Sequence, residues 1–251
     1  MENTQVVERR APRFGLLSGI GAILVYSFAS VPIMLAVAVS VAADNQGVSS
    51  DRMNDLILDK FSDPNILLAI LLANCLGLFI WAYGVSFLRG SKNFFKDFGI
   101  KFSKTSIYFF FAGVGLQILT IIISIPVGIL QDGDSSNQKI VDDFKDANGL
   151  AKIGLFIMIA FVVPFIEELC FRGVFLRGLQ KHAKPMTAIL ICGILFGAIH
   201  LTDTAALYGL TPLILVGIIS SALAVYRGKI DASIALHIGF NITTAIILLF
   251  I

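Results

Sequence analysis

The sequence predicts an all-α fold: a polytopic membrane helix bundle of about seven transmembrane helices, with a polar cavity in its C-terminal half. Three observations lead there. The 251 residues are 57% hydrophobic and only 14% charged, whereas soluble domains carry about 25% charged residues. Mean hydropathy is +0.87. The apolar residues also gather into seven runs, each close to the ~20 residues that a spanning helix needs.

The first run, 14–42, follows "RRAPR" and ends near "VSVAA", features shared with a secretory signal. Its apolar stretch is about twice a typical signal core, which favours an uncleaved helix. The other runs are 66–88, 105–130, 153–175, 185–202, 207–226 and 231–251. Two connecting segments read as interfacial helices. In "DRMNDLILDKF", Met53, Leu56, Ile57 and Phe61 form an apolar stripe. In "SKNFFKDFGIKFSK", Phe94, Phe95, Phe98 and Phe102 recur among lysines, as in a segment lying on a membrane surface. The acidic stretch 131–150 reads as a solvated loop, because it lacks the fixed ligand spacing of a calcium loop. Gly15 with Gly19, and Gly193 with Gly197, are small-residue pairs that allow close helix approach. Pro32, Pro126, Pro164 and Pro212 sit within spans, where neighbours can satisfy the freed carbonyls. Residues 1–150 thus supply N-terminal helices and loops, and 151–251 the helices with polar content, within one continuous membrane domain.

Orientation follows from the basic residues of the loops. On one side lie Arg9, Arg10, Arg13, Arg89, Lys92, Lys96, Lys101, Lys104, Arg172, Arg177, Lys181, Lys184, Arg227 and Lys229; on the other only Arg52, Lys60, Lys139, Lys145 and Lys152. The expectation is a cytoplasmic N-terminus and an external C-terminus, in a multi-pass protein of a bacterial plasma membrane. A net charge of +2 and the lack of a basic patch interleaved with aromatics speak against nucleic acid. Cys75, Cys170 and Cys192 lie in apolar runs without CxxC or CxxH neighbours, so they read as small buried hydrophobes.

The first three runs show no ionisable side chain within their apolar cores; the fourth, fifth and seventh do. Glu168 and Arg172 are four apart and share a helix face, with Glu167 rotated about 100° away. His200 closes a stripe begun by Gly193 and Gly197. Ser233, His237 and Asn241 repeat every four residues. An ionisable group in hydrocarbon costs about 2.5–3.5 kcal/mol on insertion scales, so such groups face a cavity. Each alone has a plain reading as an ion pair, a packing histidine or interhelical glue. Three ordered stripes on three helices favour a site. His182, in "RGLQKHAK", reads as a surface residue.

A glutamate beside a histidine can hold a water and take its proton. A second histidine and an asparagine can donate to a developing oxyanion. That inventory suits peptide hydrolysis without an acyl-enzyme. Depth poses a difficulty: on the expected boundaries Glu167 lies about 12 Å into its helix, His237 about 9 Å and His200 about 22 Å. They can meet only if the fifth helix starts deep or tilts, if "HLTDTAA" folds back, or if a boundary is misplaced.

"EELCFR", "FGAIH" and "HIGFN" match EExxxR, FxxxH and HxxxN in that order on successive helices. Over about residues 150–251 the chain therefore resembles the CPBP family (Abi-type), the CAAX-protease and bacteriocin-processing intramembrane endopeptidases. The resemblance implies that Glu167 and His200 activate water, that Glu168 and Arg172 shape the site with Phe196 in support, and that His237 and Asn241 form an oxyanion hole. It implies a protein or peptide substrate at the bilayer, either a prenylated CAAX tail or a peptide precursor. On the residues, His200, His237 and Glu167 could furnish a His2Glu zinc site, yet HExxH is missing; metal-free chemistry is favoured. Two other functions use the same groups: a transporter or proton relay, which usually shows internal repeats, and a non-catalytic scaffold.

Overall fold

The computed structural model describes residues 14–130, 144, 147–200 and 207–250, by backbone alone at 124–130 and 207–209. Every regular element in that range is helical: α1 (Leu16–Phe28), α2 (Val31–Asp44), α3 (Ser50–Phe61), α4 (Pro64–Arg89), α5 (Phe94–Phe98), α6 (Ser106–Leu130), α7 (Gly149–Leu179), α8 (Pro185–Ala198), α9 (Leu207–Arg227) and α10 (Asp231–Phe250). Six of these stretches are long and apolar enough to cross a membrane, with α1 and α2 together forming one. The fifth expected run, 185–202, is corrected in length: α8 has 14 residues, short of a full crossing.

The first run is likewise two helices and not one. Pro32 has no N–H to continue α1, and the Ser30 N–H turns instead to Asn74 Oδ1 on α4 at 2.9 Å. The aromatic surface segment is also shorter than expected. Gly99, in the left-handed region at φ 67°, ends α5 after five residues. Phe98 is buried and stacks on Phe14 at 5.3 Å, while Phe95 and Phe102 remain exposed. In the acidic stretch, Phe144 is buried under Lys152 and is not a solvated residue; 131–143, 145 and 146 lie outside the described residues, as do Arg9, Arg10 and Arg13.

Close backbone contacts place the helices around α7. A side-chain carbon on Gly19 of α1 would stand 2.6 Å from Phe175 Cα, and one on Gly178 of α7 would stand 2.8 Å from Leu16 Cα. On the opposite flank, Gly193 of α8 presses on Ile218 of α9. A side-chain carbon on Gly15, the residue paired with Gly19 in the sequence, would meet nothing within 4 Å. Three loops expected on one side do meet at one end. Arg177 donates to the carbonyls of Asp97 and Phe98, and Gly99 abuts Lys229.

The depth difficulty resolves through boundaries. α7 runs four residues past its expected end, seating Glu167 about 18 Å from Leu179. α10 begins already inside the protein, with Asp231 fully buried against Arg227 and Lys229. His200 closes a turn beyond α8 through its N–H to the Gly197 carbonyl.

Candidate active site

α7 is an irregular helix, and the first of its two irregular stretches ends at Pro164. Met158–Val162 and Leu169–Phe175 are π-helical, flanking an α-helical turn, Val163–Glu168, that carries both glutamates. The Val163 N–H reaches back five residues to the Met158 carbonyl. In that register the Ile159 carbonyl should receive the N–H of residue 164, which proline lacks. Asn241 Nδ2 of α10 supplies the missing donor at 3.1 Å. Widened turns of this kind recur at functional sites, and here two of them flank the turn that carries the buried Glu167 and Glu168.

Glu168 is fully buried and held by charge. Its Oε1 accepts from Arg172 Nη1 at 2.9 Å and from His237 Nδ1 at 2.9 Å. Arg172, also fully buried, donates its second arm to the Gly217 carbonyl of α9 at 2.8 Å. The Phe196 ring of α8 lies 4.5 Å from the guanidinium carbon, a cation–π contact in a desolvated setting. The same ring packs at 5.1 Å from the His200 ring and 5.4 Å from the His237 ring. Phe196 is therefore the apolar post around which Arg172 and both imidazoles are arranged.

Glu167 has a different environment. His200 Nε2 stands 3.6 Å from its Oε1 and His237 Nε2 stands 3.7 Å from its Oε2. The opposite ring nitrogens are engaged, His200 Nδ1 with the Phe196 carbonyl at 2.7 Å and His237 Nδ1 with Glu168. Those partners are acceptors, so the hydrogen-bond network assigns the ring proton to Nδ1 in each. Two Nε2 lone pairs then face an acceptor carboxylate, an arrangement that calls for a proton donor between them. One further group reaches Glu167: Tyr26 of α1, whose hydroxyl donates to Oε1 at 3.2 Å.

The structure thus brings Glu167, Glu168, Arg172, Phe196, His200 and His237 together, and puts Asn241 one turn beyond His237 on the Ile159 carbonyl. Ser233 heads the same stripe, its hydroxyl on the Ser220 carbonyl at 2.8 Å. Tyr26 is what the sequence reading missed. A tyrosine in an apolar run passes as an aromatic, yet its hydroxyl is ionisable, which corrects the expectation of no ionisable side chain within the first run. The donor set His200, His237 and Glu167 does not gather into a metal-holding cluster among the described residues. One histidine stands against each carboxylate oxygen instead.

Residues 149–243 match the family model Type II CAAX prenyl endopeptidase Rce1-like, consistent with the CPBP resemblance carried by the three motifs. Within the matched range lie all seven residues singled out in the sequence, Glu167, Glu168, Arg172, Phe196, His200, His237 and Asn241. No curated protein and no solved structure matches the chain. The match together with six membrane-length apolar helices supports an integral, multi-pass membrane protein whose C-terminal part is similar to a peptidase family.

Proposed function

We propose that the protein is an intramembrane endopeptidase that hydrolyses a peptide bond in a membrane-associated protein or peptide, using Glu167 and His200 to activate water. The observation that carries this reading is the set of acceptors around Glu167: two carboxylate oxygens and two imidazole Nε2 atoms facing one another at 3.6 and 3.7 Å. A water placed beside the Glu167–His200 pair, about 2.8 Å from each, donates one hydrogen to each and turns its lone pair outward. As that oxygen bonds to the substrate carbonyl carbon, its proton passes to Glu167 and the carbonyl electrons move onto oxygen. Collapse of the tetrahedral species breaks the C–N bond, and the proton leaves with the amine. His237, when it has taken a second proton onto Nε2 from bulk water, donates toward the oxyanion while Glu168 balances its charge, and it keeps that proton through the cycle. The second amide hydrogen of Asn241, left over from its bond to Ile159, is a further donor. The polar groups occupy a single cluster in one half of the chain, which suits one catalytic cavity better than the paired repeats of a transporter.

The test uses purified protein in detergent with two quenched-fluorescence peptides, one farnesylated and ending in a CAAX sequence, the other identical but unmodified. Wild type should cleave at least one. Glu167→Gln and His200→Ala should abolish cleavage, a loss above about 10³-fold, and still elute as folded protein. Full cleavage by Glu167→Gln, or none of either peptide by wild type, overturns the proposal.

A further inference from the structure

We propose that Tyr26, on α1, is a positioning residue for the Glu167 carboxylate, so that the N-terminal helix is a working part of the site. The inference rests on the peptidase reading above and extends it to a part of the chain outside the matched residues 149–243.

Glu167 and Glu168 are adjacent carboxylates held in opposite ways. Glu168 is pinned by a cation, Arg172, and by His237, each at 2.9 Å. Both contacts fall on Oε1, which so engaged is a poor proton acceptor, while the buried Oε2 has no hydrogen-bond partner among the described residues. Glu167 has no cation at that distance among the described residues; its nearest polar neighbour is the neutral Tyr26 hydroxyl at 3.2 Å, with the two histidines beyond it at 3.6 and 3.7 Å. The terminal torsion of a glutamate is broad, so without a fixed donor the carboxylate plane can turn. A phenol stops that turning without neutralising the charge. It engages Oε1, the oxygen that faces His200, and thereby holds the other oxygen toward His237.

The backbone is arranged to deliver this hydroxyl. α1 runs antiparallel to α7 and touches it through Gly19 on Phe175 and Gly178 on Leu16. From the Gly19–Phe175 contact, Tyr26 lies seven residues onward and Glu167 eight residues back, both about 11 Å along their helices. The contact therefore sets the register that brings phenol and carboxylate level. α1 is also held from its other side, where Trp81 Nε1 donates to the Ser18 carbonyl at 3.1 Å and Arg89 reaches the Ser18 hydroxyl at 3.4 Å. A side chain on a helix clamped from two sides is a fixed donor.

Tyr26→Phe removes one oxygen and keeps the ring. With whichever of the two peptides wild type cleaves, kcat should fall about 10- to 100-fold, the scale of a misplaced catalytic group. KM and the thermal midpoint should stay within error of wild type. Infrared difference spectroscopy gives a reading independent of substrate. The carboxylate band that disappears in Glu167→Gln should shift in Tyr26→Phe. An unmoved band, an unchanged kcat, a rise confined to KM, or a loss of activity in step with the thermal midpoint each overturns the proposal. Cleavage by Glu167→Gln would sink the peptidase reading instead, and the infrared shift would still report whether Tyr26 holds the carboxylate.

Discussion

Taken over an 18-residue apolar stretch of each, half of the α10 span is buried within the protein, against 11% for Leu16–Asp44, although both are apolar and long enough to cross a membrane. The difference decides where polar chemistry can live. On α10, Ser233, His237 and Asn241 each find a partner on a neighbouring helix: the Ser220 carbonyl of α9, Glu168 of α7 and the Ile159 carbonyl of α7. The α1–α2 pair presents leucines, valines and isoleucines outward, among them Leu17, Leu24, Leu35 and Val39. Lipid accepts those at no cost, whereas an ionisable group there meets the full insertion penalty. The N-terminal helices form a frame and the C-terminal helices an interior. Tyr26 is where the frame reaches into the interior.

The largest test of that contrast removes a charge from the interior. Arg172→Ala leaves Glu168 buried with its cation gone and withdraws the donor to Gly217. Breaking one side of a buried pair costs about 3–5 kcal/mol, a large part of the 5–15 kcal/mol that holds a typical domain together. Thermal unfolding in detergent should show a drop of many degrees and reduced yield. Leu35→Ala, at a side chain 60% exposed on α2, should move the midpoint little. Equal shifts would erase the distinction between frame and interior.

Asn241→Ala should do less to stability and more to rate. It orphans the Ile159 carbonyl, a loss of about 1–3 kcal/mol, and removes a proposed oxyanion donor, worth about 10²–10³ in kcat. Measuring both on one preparation separates the roles. A stability loss with kcat unchanged would leave Asn241 as the partner of the Pro164 bulge and nothing more.

Much of this was legible in the sequence, for physical reasons that can be named. Apolar run length reports spans because the bilayer fixes helix length. The stripes of His237 and Asn241, and of Glu168 and Arg172, report a shared interior because polar groups in hydrocarbon must share it. Boundaries were less legible. α7 overran its expected end and α8 stopped four residues short of its own, since apolar composition alone does not say where a helix is buried in protein instead of lipid. The π-helical turns escaped as well: Pro164 signals a defect, but only the geometry shows which carbonyl it frees and that Asn241 meets it. Tyr26 escaped because its value depends on the α1–α7 register, a tertiary fact.

The smallest expected effect lies at the rim, where frame and interior join through α5. Asp97 is buried at the α4–α5 turn, and burial works against its charge. Hydrogen bonds outweigh that burial: Ser86 Oγ at 2.6 Å, Ser91 Oγ at 2.7 Å and the Ser91 N–H at 2.9 Å, with the Arg177 guanidinium nearby, hold the carboxyl below its ordinary value of 3.8. The sign follows from linkage. A carboxylate whose folded value is lowered contributes stability fully above the ordinary value and loses it as pH falls through the lowered one. Arg177 ties the same turn to the end of α7 through the Asp97 and Phe98 carbonyls, so the carboxylate anchors α5 beneath the site-bearing helix. Asp97→Asn should therefore lower the thermal midpoint modestly near neutral pH. Its cost should shrink as the buffer is taken below about pH 4, where wild type gives up the same contribution. A difference between the two proteins that stays constant from pH 6 to pH 3 would show that the charge at this joint carries no stability.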